Sequence, residues 1–137
     1  MNLQFFGPSA KLHHIGLAMK QISNQYLDQE EITEDPIQRV KVGFVSIADA
    51  SIELIQPIND QSPINTSLEK GNKFVHLCFE VDDIHESLRC AALHQFKVIH
   101  RPVPAIAFSN RNIAWVYHRE WGLFELLERN MTTNENS

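Results

Sequence analysis

Cysteine is scarce in this chain of 137 residues: there are two, Cys78 and Cys90, both set inside apolar patterns. That excludes a disulfide framework and suits a reducing compartment. Long apolar runs are missing as well. No stretch approaches the roughly 20 residues that would cross a bilayer, and the opening MNLQFFGPSA lacks the basic start and apolar run of a secretory leader. No membrane partner is expected, and the expected location is the cytoplasm. Nor is there a surplus of positive charge. With 12 basic against 17 acidic side chains the formal charge is -5, too little positive field to gather a nucleic-acid backbone. What is present is 43% hydrophobic residues, enough for one compact domain with a real core.

An internal repeat organises the chain. KLHHIGLAMKQI, from Lys11 to Ile22, lies over KFVHLCFEVDDI, from Lys73 to Ile84, without a gap, so that His14 meets His76 at an offset of 62. Further on, IELI (Ile52 to Ile55) lies over FELL (Phe124 to Leu127), with Glu53 over Glu125 at an offset of 72. Each copy thus opens on a histidine and closes on a glutamate, and the second is longer by ten residues. The copies cover about 11–60 and 73–129, joined by QPINDQSPINTSLEKGN. Residues 1–10 form an extension whose Leu3, Phe5 and Phe6 are apolar enough to pack. The polar stretch 130–137 is expected to be a flexible tail.

Within each copy the pattern reads strand, helix, then several strands. In LHHIGLAM, period-2 alternation puts Leu12, His14, Gly16 and Ala18 on one face and His13, Ile15, Leu17 and Met19 on the other. FVHLCFEV behaves alike, with His76, Cys78 and Glu80 opposed to Val75, Leu77, Phe79 and Val81. The second copy's helix is well marked: Asp83 caps it, Glu86 completes a capping box, and Ile84, Leu88, Ala91 and Ala92 form its apolar stripe. The first copy has only SNQYLDQEEITED at that place, so its helix is expected to shrink to a turn or two. Two hairpins follow from VKVGFVSIA with SIELIQP and from NIAWVYH with GLFELLE.

A histidine or a glutamate in one strand has an ordinary explanation, as a hydrogen-bonded core residue or a group at a solvated edge. The repeat changes the weighing, because it superposes histidine on histidine and glutamate on glutamate. A carboxylate inside an apolar strand is expensive to bury unless paired or metal-bound. His14, Glu53, His76 and Glu125 together offer two nitrogens and two oxygens, a set suited to one divalent first-row ion (Zn, Mn, Co, Ni or Fe) with open positions.

At LHHIGLA, SIELIQP, VHLCFEVDDI and GLFELLE the sequence resembles the vicinal oxygen chelate superfamily, and within it methylmalonyl-CoA epimerase-like and glyoxalase-like proteins. The resemblance runs from about Lys11 to Glu128, and the family's metal ligands fall on His14, Glu53, His76 and Glu125. It implies an α+β fold of two βαβββ modules forming a cup-shaped mixed sheet, here with a shortened first helix, and a homodimer. It also implies a metal-dependent isomerase or lyase that removes a proton next to the carbonyl or thioester of a small metabolite, an acyl-CoA or thiol adduct. Glu125 would then serve as ligand and base. The epimerases set a second glutamate on the second strand of the first module, and Lys41 aligns there; it is the expected opposing acid, with an outward-facing lysine equally open. The alternative function is a binding or resistance protein that uses the same cup without turnover.

Three further residues are candidates for substrate contact. Arg111, in PVPAIAFSNRNIAWVY, could fork a carboxylate or phosphate, although a solvated loop arginine is the plainer reading. Pro102 and Pro104 of that stretch suggest an ordered loop over the mouth of the cup. His118 ends a strand beside REWG. Cys78 shares the face of His76, where a small buried hydrophobe is its commoner role.

Overall fold

The computed structural model describes residues 1–129, and the expected tail at 130–137 lies outside them. Among the described residues there are eight strands, two short α-helices and two single 3-10 turns. No helix among them is long and apolar enough to cross a membrane. The chain divides into two compact units: His14–His76 with Ala105–Ser109, called here the first unit, and Met1–His13 with Leu77–Pro104 and the chain from Asn110 on, the second.

The first unit is built on β1 (Lys11–Ala18), β2 (Thr33–Asp35), β3 (Val40–Ile47) and β4 (Ala50–Pro57). These strands stand in the order β2-β3-β4-β1, with β1 parallel to β4 and the other pairs antiparallel. The shortened helix is found as a single 3-10 turn, Gln29–Glu31, closed by the Glu31 carboxylate accepting from the Asp28 N–H. With so little helix to cover it, the apolar face of the strands is roofed by side chains of the connecting loop. Ile22, Leu27 and Ile32 pack on Ile15, Leu17, Val45, Ile52 and Leu54. Leu27 reaches the strands only because Gly43 has no side chain: a Cβ there would stand 2.2 Å from Leu27 Cδ1. The joining segment expected to be a linker contains a helix, α1 (Ile64–Glu69), whose Ile64 packs with Val40, Val42 and Ile55.

The second unit repeats the plan with β5 (Phe74–Val81), α2 (Ile84–Leu93), β6 (Lys97–Ala105), β7 (Arg111–His118) and β8 (Gly122–Glu128), in the order β5-β8-β7-β6. Here too the first strand is parallel to the last, and the closing hairpin is antiparallel. Each copy is therefore an α+β arrangement with the same strand order, as expected. Asp83 caps α2 by accepting from the N–H groups of His85 and Glu86. The expected capping box is not completed, because the Glu86 side chain pairs with Arg89 one turn on. The buried stripe of α2 is Ile84, Ser87 and Ala91, and Ala92 is exposed instead of lying in it. Phe5 and Phe6 do pack, entering a cluster with Phe79, Phe96 and Phe124, while Leu3 stays exposed. Pro102 and Pro104 lie in β6 and not in a loop; β6 is the outermost strand of the order, where a missing N–H costs no ladder bond.

Candidate metal centre

In the first unit the strand register fixes what faces what. The parallel β1–β4 ladder sets Gly16 beside Glu53, and the antiparallel β3–β4 ladder sets Phe44 beside Glu53. Directly paired residues share a face, so His14, two positions from Gly16, shares the face of Glu53. His76 enters the same space. His14 Nε2 and His76 Nε2 are 3.2 Å apart, and Glu53 Oε1 lies 3.3 Å from the first and 3.5 Å from the second. All three side chains are almost wholly out of water, with relative exposures of 1% for His14, 5% for Glu53 and 7% for His76.

This triangle fits a metal ion. Donors bound at about 2.1 Å stand about 3.0 Å apart at adjacent corners of an octahedron and about 3.4 Å apart in a tetrahedron. The three edges of the triangle fall beside those values. Two imidazole nitrogens and one carboxylate oxygen converging on one buried point are also a donor set for a borderline divalent cation, and a shared proton can join only two of the three atoms at once. Space for the convergence comes from Gly16, since a Cβ there would lie 2.2 Å from His76 Cε1 and 2.4 Å from Nδ1.

The second unit places Glu125 by the same rule. Parallel pairing of β5 with β8 sets Cys78 beside Glu125, two residues after His76, as Gly16 stands beside Glu53 two residues after His14. Glu125 is 2% exposed and Cys78 is fully buried.

The structure gives three further residues named from the sequence, Lys41, Arg111 and His118, the following surroundings. Lys41 pairs with Gln56 and with Glu34, and its alternation puts it on the face opposite to Glu53. The residues of β3 that share the Glu53 face are Val40, Val42, Phe44 and Ser46, so this strand presents no carboxylate, amine or imidazole there. Arg111 donates from Nη1 to Glu80 Oε2 at 2.8 Å, and Arg129 donates from Nε to Glu80 Oε1 at 3.3 Å, so the charge of Arg111 is answered within the fold. Burial pushes the Glu80 carboxyl up, but the hydrogen bonds and charges of the two arginines outweigh it and hold the carboxyl below its ordinary range. His118 is a turn staple. Its Nδ1 accepts from the N–H groups of Glu120 and Trp121, and its ring packs on Phe96 with centroids 5.0 Å apart.

Gly16, Phe44 and Phe108 are neighbours of the centre that reading the sequence missed. Gly16 could have been found from the repeat, where a small residue follows each histidine by two places. Phe108 carries no such signal, because it arrives from a distant 3-10 turn, Ile106–Phe108.

The sequence profile of the Glyoxalase/Bleomycin resistance protein/Dioxygenase superfamily matches residues 13–115, and the chain belongs to that superfamily. Among individual proteins, it is similar to the mitochondrial methylmalonyl-CoA epimerase of Dictyostelium discoideum, with 27% identity over 131 residues that span 87% of this chain and 78% of the relative. A solved structure of a hypothetical protein from Bacillus halodurans C-125 superposes with a TM-score of 0.72 at 27% identity, covering 90% of this chain and 96% of the other. The methylmalonyl-CoA epimerase of Mycobacterium tuberculosis shares the fold, with a TM-score of 0.69 at 18% identity and coverage of 92% and 91%.

Proposed function

We propose that the protein is a metal-dependent enzyme of the isomerase or lyase class, epimerase-like, that removes a proton from the carbon next to the carbonyl of a small acyl thioester such as an acyl-CoA. The observation that carries this reading is the buried triangle of His14, Glu53 and His76 donor atoms, which has the composition and spacing of a divalent-ion site. Glu125 is proposed as the fourth ligand, on the strength of its register equivalence to Glu53 and its equal burial. A divalent ion held there would supply Lewis-acid polarisation of a substrate carbonyl and stabilise the negative charge that develops on its oxygen.

The protein's own groups then divide the work. His14, His76 and Glu53 hold their donor atoms in place without large movement, since each is packed in the strands. Glu125 has two carboxylate oxygens, so one can ligate while the other takes the α-proton and later returns it. Val40, Val42 and Phe44 line the face that carries Glu53 with apolar groups and offer no competing base. The name of the Dictyostelium relative points to a coenzyme A thioester as the substrate class, and Cys78, beside Glu125, is proposed to touch it.

The test is proton exchange. Methylmalonyl-CoA, other branched acyl-CoA thioesters and 2-oxoaldehyde hemithioacetals, each incubated with the metal-loaded protein in deuterated water, should show deuterium at the α-carbon for at least one of them. Absence of exchange with all of these, together with tight binding of one intact compound, would overturn the enzyme reading in favour of sequestration.

A further inference from the structure

His14 sits in a three-ring cluster whose other members have no ligating atoms. Phe108 stacks on the imidazole with centroids 5.5 Å apart and an interplanar angle of 18°, while Phe44 meets it edge-on at 5.6 Å and 79°. The two phenylalanines also touch each other, at 5.6 Å and 61°. The three separations are nearly equal, so each ring braces the other two. Phe44 is in turn the direct cross-strand neighbour of Glu53.

Phe108 is delivered to this place by a locally demanding backbone. Ala105–Ser109 belongs to the first unit although the chain on both sides of it does not. Its 3-10 turn is closed by Ser109 N–H donating to the Ile106 carbonyl, with Ser109 itself left-handed at φ 55° and ψ 39°. A left-handed serine is tolerated only where the surroundings hold it. Ala107, within the same turn, packs with Val40, Val42 and Ile55 on the face that carries Glu53. The segment is thus anchored on either side of Phe108, and Phe108 itself is buried.

We infer that Phe44 and Phe108 are positioning residues that lock the plane of the His14 imidazole, so that Nε2 points at the donor atoms of Glu53 and His76 before any ion arrives. This rests on the metal reading above. The physical need is plain: the torsion that turns an imidazole about its Cβ–Cγ bond is broad and roughly two-fold, so the strand backbone alone does not choose the ring plane. Gly16, on the same face, has no side chain to lend. A flat stack on one face with an edge contact on another leaves in-plane nitrogens accessible while opposing rotation; where the orienting neighbour is a hydrogen-bond partner, fixing a ligand is worth about 10- to 100-fold in metal affinity, and the packed rings do the same orienting by contact.

The test uses chelator-stripped full-length protein titrated with Zn2+ or Co2+ against a competing chelating dye. Phe108→Leu and Phe44→Leu keep most of the apolar volume but remove the ring, and each should weaken binding by about tenfold or more. Phe44→Tyr keeps the ring and should bind like the parent. The thermal midpoint of each stripped variant is followed alongside, and 15N relaxation of the His14 ring in the stripped proteins should show a fixed ring in the parent and a mobile one in the leucine variants. Parent-like affinity and parent-like ring order in both leucine variants would overturn the inference. A parent protein that takes up no metal would instead sink the underlying metal reading, and the relaxation comparison would still decide whether the phenylalanines hold the ring. If Phe108→Leu fails to fold, Phe44→Leu with its tyrosine rescue carries the decision.

Discussion

The two units follow one strand plan yet solve the problem of covering it differently. In both, the first strand runs parallel to the last, and the residue two places after a histidine stands beside a buried glutamate. Over that common frame the second unit lays a capped ten-residue helix and a cluster of phenylalanines, with Phe6 brought in from outside the repeat. At the equivalent place the first unit has only the 3-10 turn Gln29–Glu31, and it roofs its strands with Ile22, Leu27 and Ile32. What the units share is the pairing of histidine strand with glutamate strand, and what differs is the cover. A duplicated unit is free to lose its helix where other apolar side chains exclude water from the same strands.

The strongest way to break the symmetry is to ask whether the two equivalent glutamates do equal work. Glu125→Gln should lower α-proton exchange by about a thousandfold at saturating metal, the range in which positioned acid–base groups operate. Glu53→Gln should weaken metal binding but leave exchange within about tenfold of the parent once metal is saturating, because it removes a ligand and no base. Exchange rates measured in deuterated water at several metal concentrations separate the two effects. Equal loss in both variants would restore the symmetry and deny Glu125 its special role.

The covers can be compared by stability. Phe6→Ala removes a buried ring that meets Phe79, Phe96 and Phe124 at centroid distances of 5.6, 5.2 and 5.4 Å, and should cost about 3–4 kcal/mol in urea unfolding. Leu27→Ala should cost less, about 2–3 kcal/mol, since it removes a smaller buried side chain than a phenyl ring. The first unit's cover has an internal control in Gly43. Adding Gly43→Ala to Leu27→Ala supplies a methyl where the leucine tip stood, so the double variant should recover part of the loss, whereas Gly43→Ala alone should destabilise.

These differences mark what could be seen in the sequence. The repeat exposed the duplicated strands, the capped helix and the four residues of the candidate site, because periodicity and superposition act over short stretches. The loop roof was visible only as a missing helix: nothing local says that Leu27 meets Gly43, which depends on tertiary packing. Lys41 was assigned by aligning strands without a register, and a slip of one position moves a side chain to the other face. Val42, its neighbour, is the residue that shares the Glu53 face. Phe108 was hidden for a different reason, since its turn belongs by position to one copy and by packing to the other unit. The internal partners of His118 and Arg111, the REWG turn and Glu80, were not visible in the sequence because they meet only in the folded chain.

A smaller effect concerns α2, the capped helix for which the first copy has only a 3-10 turn. Asp83→Ala removes the side chain that accepts from His85 and Glu86 N–H and should cost about 1 kcal/mol, read as a lower urea midpoint with an unchanged slope.

The smallest effect is specific to the second unit and depends on pH. Glu80 pairs with Arg111 and Arg129, and its folded carboxyl is held below the ordinary range, with burial opposing and the arginines prevailing. A group whose folded value is depressed contributes stability that is fully present above its unfolded value, about 4.3, and fades as the pH falls through the lower folded value. Because the pair is partly exposed, its contribution is discounted by solvent screening. The acid limb of the parent's stability curve should therefore be steeper below about pH 4 than that of Glu80→Gln, with both curves parallel at neutral pH. Adding salt should narrow the gap. Superimposable acid limbs would mean that Glu80 has the same affinity for a proton folded and unfolded, and that the two arginines hold the strand ends by geometry alone.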